Sequence, residues 1–142
     1  MKIQKEASAV WQGTIKEGGG TISTQSGALN NIPYGFNTRF TGEKGTNPEE
    51  LIGAAHAGCF TMALSLMLTE AGFTPDKLET KSNVTLEKVG DGFEITAIQL
   101  HLMGKVPGIN QAQFLEFANK AKVGCPVSKV LKAPMTLEAR LN

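Results

Sequence analysis

The 142-residue sequence has no run of like charges, no leader-like N-terminus and only two cysteines. Its 14 basic and 13 acidic residues are spread along the chain and give a net charge of +1, so no basic face for nucleic acid or an anionic membrane is expected. The segment Met1-Lys-Ile-Gln-Lys-Glu has neither the apolar region nor the cleavage site of a signal peptide, and we therefore expect a cytoplasmic protein. In a reducing compartment a permanent bond between Cys59 and Cys125 is not expected, which leaves two inert thiols or a transient catalytic disulfide.

Arginine and metal-binding residues are also scarce. Arginine occurs only at positions 39 and 140, so a planar, always-charged group is used sparingly. Two cysteines and two histidines without close spacing make a poor zinc set, and neither a metal nor another cofactor is expected. A chain of this length can bury about two-thirds of its unfolded surface, and we expect one domain over residues 1–142.

The uncharged and mostly apolar stretch over residues 51–68 predicts one long helix. Asn47 suits the N-cap and Pro48 the first helical position. Glu49 and Glu50 lie in the first turn, where carboxylates favour the positive end of the helix dipole, and Glu50 completes a capping box with Asn47. Because only three polar side chains interrupt the apolar run, we expect this helix to be buried on nearly every face.

The same run also has the minimum length of a membrane span. No Lys or Arg flanks it, no aromatic belt is present and strand-like polar sequence lies on both sides, so we favour a core helix and no membrane contact. Four small residues predict instead that another backbone comes close, in a packed core or a subunit interface: Gly53, Ala54, Ala57 and Gly58.

Strands are predicted on both sides of this helix. Residues 7–15 and 20–24 form an N-terminal hairpin, and the alternation over residues 34–40 predicts a strand that carries Arg39. Residues 78–89 and 93–103 form a second hairpin. In its second strand the apolar phase slips after Ala97, which predicts either a β-bulge or a change of the buried face.

Two helix termini meet at Cys125. Asn110 caps an amphipathic helix that ends at Gly124, and Pro126 then begins another helix with Cys125 as its cap. Residues 135–141 alternate as a final strand. Hairpins arranged around long helices predict the α+β class.

The two cysteines differ in their surroundings. A thiol with an ordinary pKa is only about 3% ionised at pH 7, so a working cysteine needs its anion stabilised. Cys125 at a helix start has a local reason for a lowered pKa, whereas Cys59, three turns into a helix, needs a cation from elsewhere. Arg39 is the chemical candidate, although spacing does not place it there. The alternatives are two inert buried thiols and a solvated strand arginine.

The histidines offer weaker catalytic candidates. His56 precedes Cys59 by three residues and could be its base, but no Asp or Asn is placed to orient it. A hydrogen-bonded structural histidine is the favoured interpretation. His101 has no partner that the sequence identifies.

Four motifs carry a family resemblance: Pro33-Tyr-Gly-Phe-Asn-Thr-Arg39-Phe, Thr46-Asn-Pro-Glu49-Glu-Leu, Ala54-Ala-His-Ala-Gly-Cys59-Phe and Gly124-Cys125-Pro-Val-Ser128. In this order and spacing they resemble the OsmC branch of the OsmC/Ohr family over essentially the whole chain. The resemblance implies an OsmC-like α+β fold, an intertwined homodimer with sites at the subunit interface, and a thiol peroxidase that reduces organic hydroperoxides. It makes Cys59 peroxidatic and Cys125 resolving, with Arg39 and Glu49 as polar partners of the thiolate, and it gives His56 no catalytic role.

The chemistry so implied runs through a disulfide. Cys59 would be oxidised to a sulfenic acid, Cys125 would condense with it, and an external dithiol, for which the resemblance points to a lipoyl protein, would reset the enzyme. Local dipoles alone favour Cys125 as the more acidic thiol, but a fixed guanidinium in a dry pocket can outweigh a helix end worth about 0.3–1 kcal/mol. Two other functions stay open: a non-enzymatic stress protein that binds an apolar ligand with inert thiols, and a cysteine hydrolase that uses His56.

Helix geometry bears on the oligomer. Glu49 and Cys59 are ten positions apart on one predicted helix, which separates them by about 15 Å along the axis and about 80° around it. They cannot share a site within one chain. We therefore expect an obligate homodimer in which Glu49 of one subunit reaches Cys59 of the other, and the chain that supplies Arg39 is left open.

Overall fold

The computed structural model describes all 142 residues, and the chain divides into two compact units, Met1–Leu51 and Ile52–Asn142. The predicted α+β class is confirmed, since two three-stranded sheets are combined with four helices. The elements in chain order are β1 (Ala7–Gln12), β2 (Gly19–Thr24), β3 (Ile32–Tyr34), α1 (Phe36–Phe40), α2 (Pro48–Glu70), β4 (Lys77–Val89), β5 (Gly92–Lys105), α3 (Gln111–Gly124), α4 (Pro126–Val130) and β6 (Met135–Leu141).

The first unit contains an antiparallel sheet in the order β1-β2-β3. The predicted hairpin is confirmed, but β1 ends at Gln12, three residues early, because Gly13 turns the chain with φ +91°. The rings of Trp11 and Tyr34 meet edge to face at 5.4 Å on either side of Gly20. A Cβ at Gly20 would lie 2.7 Å from the Tyr34 ring, so this close contact needs glycine.

The prediction of one strand over residues 34–40 is wrong. Strand β3 ends at Tyr34, and Arg39 lies on the short helix α1. The Thr38 hydroxyl accepts a hydrogen bond from the Gly35 N–H at 2.9 Å and donates one to the Gly35 carbonyl at 3.0 Å, which fixes the first turn. Phe36 and Phe40, one helical turn apart, then pack against each other with tilted rings whose centroids are 5.1 Å apart. Apolar residues at positions i and i+4 fit a strand face and a helix turn equally well, and tertiary contacts decide between them.

The central helix α2 is confirmed with its predicted start. The Glu50 N–H donates to the Asn47 side-chain oxygen at 2.8 Å, and the Asn47 amide donates in turn to the Glu50 carboxylate. The cap is therefore built from both side chains, as Asn at the N-cap and Glu at N3 predict. Gly72, with φ +91°, follows the end of the helix.

The two faces of α2 have different surroundings. Phe60, Leu64 and Leu68 are fully buried in the core of the second unit. The opposite face exposes apolar residues, with Met62 76% and Leu66 59% exposed. Only 28% of the most apolar window of this helix is buried, so the expected burial on nearly every face is not met within one chain. By length and mean hydropathy (1.7) alone the helix could cross a membrane, a test that core helices of soluble proteins also pass.

The predicted small-residue surface of α2 is divided. Gly53 is buried, and a Cβ there would lie 3.5 Å from the Ser82 carbonyl and from Val84 on β4. Ala54 and Gly58 instead face away and are exposed. Gly53 thus lets the sheet approach the helix, while Ala54 and Gly58 belong to the exposed face.

The second sheet has the order β4-β5-β6. The predicted bulge is confirmed, because the register of β4 and β5 shifts at Thr85 and Leu86 and leaves Thr96 without a partner residue. Strand β6 pairs in parallel with β5, a pairing that the sequence did not indicate. Gly104 on β5 lies under Phe114 of α3, where a Cβ would be 2.7 Å from the ring atom Cε1.

Helices α3 and α4 meet at Cys125, as predicted. Asn110 caps α3, since its side-chain oxygen accepts from the Gln113 N–H at 2.8 Å. The Cys125 N–H donates to the Ala121 carbonyl at 2.9 Å in the last hydrogen bond of α3. The Cys125 carbonyl accepts from the Lys129 N–H at 3.1 Å in the first hydrogen bond of α4. With Pro126 at the first position of α4, Cys125 is held at the junction of two helices.

Candidate active site

The two cysteines form a thiol pair in the second unit. Cys59 on α2 is half-buried, Cys125 before α4 is fully buried, and both are free. The Cys59 thiol donates a hydrogen bond to the Cys125 sulfur. Helix α2 and the α3–α4 junction thus bring together two sulfurs that are 66 residues apart in the sequence.

The surroundings of this pair favour Cys125 as the thiolate. Burial raises the pKa of Cys59, and the hydrogen bond to Cys125 raises it further; the Val127 N–H lowers it, and the charge of Cys125 makes the smallest contribution, which raises it. For Cys125 burial acts in the same direction, but hydrogen bonds from the Cys59 thiol, the Ser128 N–H and hydroxyl, and the Val127 N–H lower its pKa overall. None of the groups that act on Cys59 is a cation. These directions agree with the local argument from the helix start.

His56 is a buried structural histidine in this unit. Its Nε2 atom lies 2.7 Å from the Ser128 Oγ atom, and its Nδ1 atom has no partner. Burial lowers the pKa of His56, so the ring is neutral at pH 7. The expected hydrogen-bonded role is confirmed, and the contact to Ser128 gives no support to a hydrolase in which His56 activates Cys59. Ser128 is a polar neighbour of the thiols that sequence reasoning missed, although its place three residues after the Cys125 cap was a usable signal.

Arg39 and Glu49 form an ion pair in the first unit. The Arg39 Nε atom lies 3.1 and 3.3 Å from the two carboxylate oxygens of Glu49, and Nη2 lies 2.8 Å from Oε1. The Glu49 side chain is 11% exposed, whereas the Arg39 side chain is 39% exposed. The Asn47 amide donates to the Thr38 carbonyl at 3.3 Å and so ties α1 to the start of α2. Arg39 is therefore not on a strand, and although its side chain is partly exposed it is paired with Glu49.

An aromatic cavity of about 250 Å³ lies beside this ion pair in the first unit. It is lined by Trp11, Ile15, Tyr34, Gly35, Phe36, Arg39 and Phe40. An apolar cavity with one cationic group at its wall can hold a ligand that is apolar at one end and polar at the other. Sequence reasoning missed this cavity, because its walls come from β1, β3 and a helix that was predicted as a strand.

The structure therefore assembles the four candidate residues as two pairs. Cys59 and Cys125 meet in the second unit, and Arg39 and Glu49 meet in the first. His101, for which the sequence identified no partner, lies 3.1 Å from Glu138 through its Nδ1 atom. No group of three or more His, Cys, Asp or Glu side chains is arranged to hold a metal ion.

Comparison with known sequences identifies relatives over the full chain. A family profile described as OsmC-like protein matches residues 41–140. Peroxiredoxin OsmC of Escherichia coli (strain K12) is 62% identical over 142 residues, which are 100% of this chain and 99% of that protein. The organic hydroperoxide resistance protein OhrB of Bacillus subtilis (strain 168) is 27% identical over 124 residues, 87% of this chain and 89% of that protein.

Solved structures agree with these matches. The crystal structure of OhrB of Bacillus subtilis superposes with a TM-score of 0.68 at 27% identity and covers 96% of this chain and 98% of that one. An OsmC-like protein of unknown function from Vibrio cholerae O1 biovar eltor str. N16961 superposes with a TM-score of 0.76 at 14% identity, over 97% of this chain and 99% of that one. At that lower identity the likeness concerns the fold alone.

Proposed function

This chain belongs to the OsmC family, and from that membership we propose that it is a thiol-dependent peroxidase that reduces organic hydroperoxides to alcohols. The observation that carries the proposal is the thiol pair, in which Cys59 donates a hydrogen bond to a stabilised Cys125 sulfur. The relatives named peroxiredoxin and organic hydroperoxide resistance protein support a peroxide as the substrate.

In the proposed reaction Cys59 is the attacking thiolate. It attacks the distal oxygen of the hydroperoxide, the O–O bond breaks, and the alkoxide takes up a proton and leaves as an alcohol. The Cys125 thiolate then attacks the sulfur of the Cys59 sulfenic acid, hydroxide leaves and is protonated to water, and a disulfide remains. Exposure supports this order, because Cys59 is half-buried and can be reached by a hydroperoxide while Cys125 is fully buried.

Cys59 needs a cation that its own surroundings do not supply, and the Arg39–Glu49 pair has the right chemistry. Helix α2 runs without a break from Pro48 to Glu70, so the ten-residue step from Glu49 to Cys59 spans about 15 Å along its axis. We propose that Arg39 of the partner subunit and Glu49 of the partner subunit complete each thiol site. Since Arg39 is bound to Glu49 within one chain, one subunit gives both residues.

The exposed apolar face of α2 supports a homodimer. Ala55, Gly58, Met62 and Leu66 recur at helical spacing on this face. A second copy of the chain packed on it would remove these side chains from water and would bring the two subunits together along their central helices. The small residues Ala55 and Gly58 would let the second backbone come close.

Turnover needs an external dithiol, because the disulfide is reset only by two further thiol equivalents. A cytoplasmic location and a dithiol protein such as a lipoyl protein fit this requirement, and defence against oxidative and osmotic stress is the corresponding physiological role. A protein that only binds apolar ligands and has inert thiols needs neither a dithiol reductant nor a reducing compartment.

Thiol counting tests the activity. Titration with tert-butyl hydroperoxide is expected to remove two thiols per chain and to yield one intramolecular disulfide by mass spectrometry. Loss of no thiol would overturn the peroxidase and favour the apolar-ligand binder, since a binder leaves both cysteines reduced. A hydrolase would also keep both thiols but would be acylated at Cys59 by an activated ester.

Subunit mixing tests the shared site. Co-refolded Glu49→Ala and Cys59→Ser chains are expected to regain one working site per mixed dimer, because one half keeps both cysteines and the other keeps the ion pair. Mixing Cys59→Ser with Cys125→Ser chains is the matched control and should stay inactive, as both changes fall in the same half-site. Mixed dimers of the first kind that show no activity would exclude a site shared between subunits.

A further inference from the structure

Two buried polar side chains, those of His56 and Ser128, form a chain of hydrogen bonds that ends at the thiol pair, and the proposed reaction does not use them. His56 is fully buried, Ser128 is 7% exposed, and the His56 Nε2 atom and Ser128 Oγ atom are 2.7 Å apart. Ser128 is the third residue of α4, whose N-cap is Cys125, so its hydroxyl lies one helical turn from the Cys125 sulfur. The Ser128 hydroxyl also hydrogen-bonds to that sulfur. The contacts therefore run from His56 through Ser128 to Cys125.

Because the His56 Nδ1 atom has no partner, the donor and the acceptor in each of these hydrogen bonds can be assigned. Buried N–H groups without an acceptor are rare, whereas a bare acceptor is tolerated better, so the ring proton belongs on Nε2 rather than on Nδ1. The Nε2–H group then donates to the Ser128 oxygen, and the serine hydroxyl proton is left to point at the Cys125 sulfur. With the other tautomer the serine proton would point at His56, and Cys125 would lose a donor.

We propose that His56 is a positioning residue that orients the Ser128 hydroxyl toward the Cys125 sulfur, so that Cys125 is the leaving group when the Cys59–Cys125 disulfide is reduced. This inference rests on the proposed function for the disulfide itself. The hydrogen-bond chain is a property of the folded protein and can be measured without turnover.

Reduction of the Cys59–Cys125 disulfide takes two exchange steps. One thiolate of an external dithiol attacks the Cys59 sulfur, the Cys59–Cys125 bond breaks, and its electron pair stays on Cys125 as a thiolate that accepts the Ser128 proton in a hydrogen bond. The second thiol of the reductant then attacks the mixed disulfide and releases Cys59 as a thiolate, and the reductant leaves as a disulfide. A sulfur whose anion is stabilised leaves faster, so the donor on Cys125 directs the attack to Cys59.

No charged side chain takes part in this stabilisation. The groups that face Cys125 are the Cys59 thiol from α2 and the N–H and hydroxyl groups at the start of α4. His56 stands behind Ser128 and is neutral, because burial lowers its pKa. His56 therefore acts by orienting the Ser128 hydroxyl through a hydrogen bond. A substituted side chain that places a donor at the position of Nε2 should have the same effect.

The test measures the ionisation of Cys125 as the only thiol, in a Cys59→Ser background, from thiolate absorbance near 240 nm against pH. Ser128→Ala is expected to raise the pKa of Cys125 by about one unit, since it removes a donor to an anion. His56→Leu should give a shift in the same direction, and His56→Gln, whose amide can replace the Nε2–H donor, should restore most of the original value. Thr80→Val removes a half-buried hydroxyl that accepts from Thr61 at 2.7 Å and should leave the titration unchanged.

The second readout is kinetic and uses both cysteines. The ratio of the single-turnover oxidation rate to the rate of disulfide reduction by dithiothreitol should rise roughly three- to tenfold in Ser128→Ala and in His56→Leu. Ser128→Thr keeps the hydroxyl and covers the case in which Ser128→Ala does not fold. An unchanged Cys125 pKa in Ser128→Ala, or His56→Gln shifted as far as His56→Leu, would overturn the role of His56. A protein that consumes no hydroperoxide would refute the peroxidase function, while the titration would still decide the hydrogen-bond chain.

Discussion

Replacing Arg39 by lysine should lower kcat/KM about 10- to 100-fold, although the charge is kept. In the structure Nε and Nη2 of Arg39 hold the Glu49 carboxylate through three contacts of 2.8 to 3.3 Å. A lysine ammonium can replace one or two of them and cannot hold the planar orientation. Each charge-assisted hydrogen bond contributes about 1.5–3 kcal/mol, and the partial exposure of Arg39 reduces this through solvent screening. A net loss of about 1.4–2.7 kcal/mol corresponds to the predicted range in rate.

The assay combines rate and thiol ionisation. Reduction of tert-butyl hydroperoxide with a dithiol gives kcat/KM, and in a Cys125→Ser background the absorbance of the Cys59 thiolate gives its pKa. Arg39→Lys is expected to raise the pKa of Cys59 as well as to slow the reaction, because the guanidinium no longer fixes the anion. Arg140→Lys is the matched control: it makes the same change in the other arginine, which is exposed on β6, and should leave both values as they are.

Two results would refute this reasoning. An Arg39→Lys enzyme with a near-native kcat/KM and an unchanged Cys59 pKa would show that Arg39 takes no part in the reaction. A slow variant with a changed gel-filtration volume or a lowered thermal stability would show that the ion pair acts on assembly or folding instead. Gel filtration and a thermal melt of the same preparation distinguish that outcome from a loss of thiolate stabilisation.

Three further predictions concern the two cysteines, the packing at two glycines and the exposed face of α2. Cys59→Ser should abolish turnover, whereas Cys125→Ser should consume one peroxide and stop at a sulfenic acid detected by mass spectrometry; normal cycling of Cys125→Ser would exclude its resolving role. Gly104→Ala should destabilise the fold by about 1–3 kcal/mol in urea, since its Cβ meets the Phe114 ring. Gly53→Ala, with contacts of 3.5 Å, is the tolerated control, and equal losses would contradict the packing argument. Met62→Lys should shift gel filtration toward the monomer; an unshifted dimer would place the interface elsewhere.

Local chemistry in the sequence determined where the elements begin, end and bend. Asn47, Pro48 and Glu50 specify the start of α2 through contacts within three residues, and the structure has these contacts. The slip of the apolar alternation at Ala97 is also a local feature of the sequence, and it marks the bulge in β5. Cys125 was recognised as a helix cap from its neighbours alone, but its lowered pKa depends first on the hydrogen bond from Cys59, which is distant in the sequence, and only then on the Ser128 and Val127 groups at the helix start.

In short segments the spacing of apolar residues does not distinguish a strand from a helix. Over residues 34–40 the apolar spacing fits a strand face and one helical turn alike, so neither period could be chosen. The structure has the helix, where the Thr38 hydroxyl hydrogen-bonds to Gly35 and the Phe36 and Phe40 rings pack against each other. These contacts bring Arg39 to Glu49, which the predicted strand did not provide.

Only the tertiary structure decided which distant residues meet. The sequence supplied both sulfurs, but their hydrogen bond depends on how α2 packs beside the α3–α4 junction. The contact of His56 with Ser128 joins residues 72 positions apart, and the parallel pairing of β6 with β5 is equally non-local. Caps, turns and bulges depend on neighbours within about one helical turn and can be read along the chain. Contacts across the core depend on the packing of whole elements, which no local pattern records.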